Sequence, residues 1–150
     1  MDAQEYRVMS KEDKYILLKS FCEALHYHTI CHTHNGDYEL LGIDIEKEEV
    51  RLDSPIYDEG DDIYGLHCYG DVMPYIRPMS SMTDEETAQV QMFMDIVTDE
   101  NYGDGYSPSA WDAMNGFVQY CDSHHLDHRG LIPMGLALSA PDGMYKTQNK

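Results

Sequence analysis

The stretch Tyr75-Ile-Arg-Pro-Met-Ser-Ser-Met-Thr-Asp-Glu-Glu86 marks the place where the chain changes its period. Before it, apolar and polar residues alternate as they do in β-strands, and after it apolar residues recur at helical spacing. Thr83 precedes Glu86 by three residues, which predicts a capping box at the start of a helix. The apolar stripe of that helix consists of Val90, Phe93, Met94 and Val97.

Upstream of this stretch, the sequence predicts one helix followed by an antiparallel meander. Ser10 is a suitable N-cap for an amphipathic helix over residues 11–25. From residue 27 the period is two, and Asn35-Gly36 favours a type I′ hairpin turn, which needs positive φ at both central residues. Further strands are predicted over Tyr38–Ile45, Val50–Asp53 and Ile63–Tyr69, with an acidic loop over Tyr57–Asp62.

The remaining segments predict an α+β domain. Asp71–Ile76 is expected to form a short helical turn that Pro74 interrupts. Ser107 and Pro108 suit the start of a third helix. Its apolar side is formed by Trp111, Met114, Val118 and Cys121. An irregular apolar segment over 131–138 closes a single domain of residues 1–150, with 1–9 and 146–150 expected to be mobile.

The composition is strongly acidic, with 28 Asp and Glu against 10 Lys and Arg and a formal net charge of −18. Such a field repels nucleic acids and anionic membranes, and it favours basic proteins, divalent cations or simple solubility. The 12 tyrosines suit a protein-binding surface, although tyrosine also fills strand faces. Residues 1–10 are polar, no apolar run approaches the ~20 residues of a membrane span, and the cysteines form no Cys-x-x-Cys pair, which together predict a cytosolic protein with reduced thiols.

Four histidines suggest a candidate metal site. On a fully extended strand over 26–34 they would project from one face, with histidines two residues apart separated by about 6.6 Å, so that two such imidazoles could reach one zinc or nickel ion. The alternative is an exposed strand face without metal. The four candidate ligands are His26, His28, His32 and His34.

A second polar cluster lies near the end of the third helix. Cys121 and His125 are four residues apart, so they are neighbours on a helix and permit a metal site or a Cys–His nucleophile. Because Cys121 continues an apolar stripe, a packed thiol is the competing interpretation. The other members of the cluster are Asp122, His124, Asp127 and His128.

Two arginines stand in apolar surroundings where basic residues are scarce. Arg77 and Arg129 are each expected to tie segments together in a partly buried ion pair. Alternatively, with Tyr75 and one of Lys11, Lys14 or Lys19, they would clamp an anionic, nucleotide-like ligand.

Residues 74–83 (PYIRPMSSMT) and 125–138 (HLDHRGLIPMGLAL), together with the passage 17–42, resemble a family of small proteins encoded by phages and prophages of gut Bacteroidales. The resemblance implies a phage origin and a location in the host cytoplasm, and it implies no catalytic residue. With the charge, it leads us to expect a non-enzymatic protein that binds a basic host protein, as a monomer or a homodimer. A small-ligand binder and a metal-dependent enzyme are the two alternatives.

Overall fold

A computed structural model describes residues 8–53, 62–98 and 108–145. In chain order, its regular elements confirm an α+β fold with an N-terminal helix, a sheet and two further helices. The helices are α1 (Lys11–Ala24), α2 (Asp84–Thr98) and α3 (Pro108–Ser123), and the strands are β1 (Ile30–Thr33), β2 (Gly36–Asp44), β3 (Glu49–Asp53), β4 (Asp62–Gly65), β5 (Val72–Ile76) and β6 (Leu138–Ser139).

Within the described ranges, the sheet contains six strands in the order β4-β3-β2-β1-β5-β6. The first four form the predicted antiparallel meander, but β5 and β6 extend it, and they pair in parallel. The β1–β2 hairpin turn lies one residue earlier than predicted, since Thr33 pairs with Gly36 and the turn residues are His34 and Asn35. Neither turn residue has positive φ, whereas Gly36 does (136°), so the type I′ prediction is wrong.

The prediction of a helical turn over residues 71–76 is wrong, because this segment forms β5 between β1 and β6. Pro74 pairs with Cys31 in the ladder although proline has no N–H to donate. A side chain bridges the two strands beside this position. The Tyr145 hydroxyl accepts from the Ile30 N–H at 2.8 Å and donates to the Tyr75 carbonyl at 2.8 Å.

Helix α1 covers one face of the sheet. Ser10 Oγ accepts from the Asp13 N–H at 3.1 Å, which confirms the predicted N-cap. Apolar side chains of α1 and the strands form the core; the largest fully buried ones include Leu17, Phe21, Leu40, Leu52 and Val72. Met9, at the end of the segment 1–9 that is predicted to be mobile, is buried and donates its N–H to the His67 carbonyl.

Helices α2 and α3 pack against each other. A Cβ atom at Gly116 would lie 2.7 Å from the Phe93 ring, so glycine permits the close approach. The predicted stripe of α3 is correct only at its C-terminal end, where Cys121 is buried, because Trp111 and Met114 are exposed. None of the helices in the described ranges has the length and apolar character that crossing a membrane requires.

Some predictions fall outside the described residues. They include most of the acidic loop over Tyr57–Asp62, the Ser107 cap of α3, and the terminal residues 1–7 and 146–150.

Candidate functional site

The sheet face opposite α1 collects polar and charged side chains from β1, β2, β3 and β5. Cross-strand pairs define it, since Ile30 lies opposite Glu39 and His32 lies opposite both Asp37 and Met73. Residues of the other parity, such as Cys31, point into the core. We call this surface the open face; its members include Ile30, His32, Asp37, Glu39, Arg51, Asp53, Met73 and Tyr75.

A hydrogen-bonded group of three side chains lies on the open face. His32 Nδ1 is 2.7 Å from Asp37 Oδ1, and the Tyr75 hydroxyl donates to both carboxylate oxygens of Asp37 at 3.2 Å. Desolvation, followed by the charge of Asp37, raises the pKa of Tyr75 above its ordinary value. The phenol is therefore a hydrogen-bond donor at neutral pH, and Asp37 orients both rings.

Carboxylates of neighbouring strands meet on the same surface. Glu39 of β2 lies directly opposite Asp53 of β3, and Asp37 precedes Glu39 by two residues on β2. Like charges directly opposite each other destabilise a sheet. His28 lies 2.8 Å from Glu39 and compensates only in its protonated form. The open face thus brings three carboxylates close together, with Arg51 two residues before Asp53 as a cation on the same side of β3.

The four histidines do not share one strand face. Residues 25–27 form a 3₁₀ turn, and His28 has positive φ (57°), so the predicted extended strand over 26–34 is wrong. His34 lies in the hairpin turn with its ring edge against Tyr64, whereas His32 lies on the open face. Within residues 8–53, 62–98 and 108–145, no group of three or more His, Cys, Asp or Glu side chains is arranged to hold a metal ion.

Arg77 lies away from the open face, in a buried network. Its guanidinium donates to both carboxylate oxygens of Glu86, at 2.7 and 2.8 Å, and to the carbonyls of Ser81 and His124. Glu86 also accepts from the Thr83 N–H and contacts His124 Nδ1 at 2.8 Å, while its own N–H bonds to Thr83 Oγ1. The capping box is confirmed, and Arg77, ahead of the other contacts, lowers the pKa of Glu86 to about 2.

Arg129 is engaged in a second internal network. Its guanidinium donates to Asp122 at 3.1 Å and to Glu23 of α1, and it contacts His128. The cavity beside it measures about 30 Å³, roughly the volume of one water molecule. A wider hollow of about 180 Å³ adjoins Arg77 and is lined partly by Ser81 and Tyr145. Both guanidinium groups therefore already bind carboxylates, and the anion clamp with Tyr75 stays a prediction.

The cluster near the end of α3 is close in space but its members have different partners. His124 contacts Glu86, His128 contacts Asp122, and His125 stacks on Tyr145 with ring centroids 3.6 Å apart. Burial lowers the pKa of His125 to about 4 and raises the pKa of the Cys121 thiol to about 11. The thiol is thus protonated and packed, which is the opposite of what a nucleophile requires.

The carboxylates of the open face are not among the predicted site residues, although the alternation of residue types on these strands indicates which side chains share their face. Asp37, Glu39 and Tyr75 alternate with core residues on strands that flank His32. The chain matches no protein-family model, and it has no match among curated proteins or among solved structures. Its function is therefore inferred from its surfaces and internal networks.

Proposed function

We propose that this chain is a non-enzymatic accessory protein, of phage or prophage origin, that binds a basic surface of a host protein in the host cytoplasm. The observation that supports this proposal is the open face, where Glu39 lies opposite Asp53 and Asp37 lies on the same side of the sheet. A cationic partner would turn this unfavourable arrangement of like charges into a favourable one.

Chemistry beyond charge also suits the open face to recognition. Tyr75 presents a phenol whose hydroxyl is oriented by Asp37, and Ile30 and Met73 are half-buried on the same side. Amphipathic rings and methionine are typical of protein-binding surfaces, and the chain's net charge of −18 speeds encounter with a basic partner. The predicted resemblance to phage proteins supplies the host setting.

A charge-neutralising variant tests the proposal. Asp37→Asn, Glu39→Gln and Asp53→Asn together remove the three carboxylates of the open face with almost no change in shape. The tagged variant and the wild type are each used to capture proteins from a Bacteroidales lysate at low and at moderate salt. We expect the wild type to retain a salt-sensitive basic protein that the variant loses.

A matched control separates the open face from net charge. Glu12→Gln, Glu46→Gln and Asp142→Asn remove the same number of charges from exposed positions elsewhere. This control is expected to bind as the wild type does. Equal loss of the partner in both variants, or no salt-sensitive partner for the wild type, would contradict the proposal.

A further inference from the structure

The segment from Pro78 to Ser123, which includes α2 and α3, contains no Lys, Arg or His. Its charged residues are all acidic: Asp84, Glu85, Glu86, Asp95, Asp99, Glu100, Asp104, Asp112 and Asp122. Arg77 and Arg129, from outside the segment, pair with Glu86 and Asp122, and no cation within the segment compensates the other acids. It is also rich in methionine, a flexible side chain that adapts to partners of different shape.

An apolar stripe on α3 runs from solvent to the core. Trp111, Met114 and Val118 follow each other at helical spacing of three and four residues, and Cys121 continues the stripe into the interior. Exposure falls along it, since Trp111 is 61% exposed, Met114 is 41% exposed, and Cys121 is fully buried. The protein's only tryptophan thus lies on its surface, beside the acidic Asp112.

We infer that this stripe is a docking surface for a basic amphipathic helix of a partner protein. An apolar side chain row on such a helix would cover Trp111 and Met114, and its Lys or Arg residues would face the acids of α2 and α3. A second copy of this chain is a poor occupant, because it would bring two cation-free acidic segments together. The inference does not depend on the open face and stands or fails separately from it.

The tryptophan supplies a direct measurement. The full chain is titrated with a synthetic 18-residue helix of Leu and Lys whose leucines form one stripe, and Trp111 emission is recorded. We expect a blue shift that saturates and that weakens when salt is added. A peptide with the same composition but leucines scattered around the helix is expected to bind at least ~10-fold more weakly, because only a continuous stripe covers the surface.

Variants locate the binding surface. With a fluorescein-labelled peptide and anisotropy, Trp111→Ala is expected to weaken binding by ~10-fold or more, and Met114→Gln by less. Met134 is 41% exposed, like Met114, but lies in the closing segment, so Met134→Gln is a matched control that should leave affinity unchanged. Thermal unfolding should show all three variants folded.

Several results would overturn the inference. One is peptide binding without any change in Trp111 emission, and another is equal affinity for the striped and scattered peptides. Equal effects of Met114→Gln and Met134→Gln would also contradict it. A wild-type dimer in sedimentation that Trp111→Ala converts to a monomer would assign the stripe to self-association instead.

Discussion

Two carboxylate–histidine pairs of this protein have nearly the same geometry and different surroundings. Glu86 Oε2 lies 2.8 Å from His124 Nδ1, and Asp37 Oδ1 lies 2.7 Å from His32 Nδ1. The Glu86 and His124 side chains are 4% and 20% exposed, whereas those of Asp37 and His32 are 42% and 45% exposed. The same chemical pair therefore joins segments where it is buried and remains accessible to a partner where it is solvated.

The largest expected effect follows from breaking the buried network. Arg77→Met leaves the Glu86 carboxylate buried without its cation, and such a loss typically costs about 3–5 kcal/mol of the free energy of unfolding. Urea denaturation followed by far-UV circular dichroism measures it. Ligand binding by Arg77 would instead predict a stable variant with altered binding.

A double variant sharpens this result. Arg77→Met combined with Glu86→Leu removes both charges, and we expect it to recover part of the lost stability because no unpaired charge remains. If the double variant is less stable than the sum of the two single variants predicts, the pair is not the source of the effect.

Acid should weaken the same network. Glu86 has a folded-state pKa of about 2, below its ordinary 4.5, so its contribution to stability is fully present above pH 4.5 and is lost as the pH falls through 2. Urea midpoints measured from pH 5 to pH 2 should fall more steeply for the wild type than for Glu86→Gln. Parallel curves for the two proteins would contradict the assignment.

A smaller effect is expected at the strand bridge between β1 and β5. Tyr145→Phe removes the hydroxyl that joins the Ile30 N–H to the Tyr75 carbonyl, and leaving such a group unpaired costs about 1–3 kcal/mol. Tyr38→Phe is the control, because its hydroxyl bond to the Asn35 carbonyl is exposed. In thermal unfolding, Tyr145→Phe should have a lower melting temperature than Tyr38→Phe. The reverse order would contradict a stabilising role for the Tyr145 hydroxyl.

The smallest effect on stability is expected on the open face. Asp37→Asn removes an exposed pairing with His32, and exposed ion pairs contribute about 0–1 kcal/mol. The free energy of unfolding from urea denaturation should therefore be close to that of the wild type, while the amount of partner captured from lysate decreases. A loss as large as that of Arg77→Met would show that the two pairs have the same structural role.

The sequence correctly predicts where α1 and α2 begin, because the start of a helix depends on residues close together in the chain. Ser10 starts α1, and Thr83 with Glu86 starts α2, because a capping hydrogen bond spans only three residues. The hairpin was correctly located, but its register differs, since only Gly36 has positive φ. That difference places Asp37 opposite His32, so the pair on the open face was not foreseen.

The remaining errors come from interactions between distant residues. Pro74 argued against a strand, yet β5 forms between β1 and β6, and the compensating hydroxyl comes from Tyr145. The prediction that the four histidines share one strand face is wrong because His28 has a left-handed backbone conformation, which alternation of residue types does not reveal. Arg77 was recognised as an ion-pair residue, but its partner Glu86 was known only as a capping residue.

The hydrogen bond between Tyr145 and Ile30 joins residues that are synthesised at very different times. Tyr145 follows Ile30 by 115 residues in the chain. Because ribosomes add about 5–20 residues per second, β1 is translated roughly 6 to 23 s before Tyr145. The strand β5, which pairs with the β1 edge, follows Ile30 by about 42 residues, so that edge is unprotected for roughly the first 2 to 8 s of this interval, and the Tyr145 bridge closes last. Chaperone engagement or premature aggregation should therefore concentrate at that edge, and slower translation would prolong its exposure.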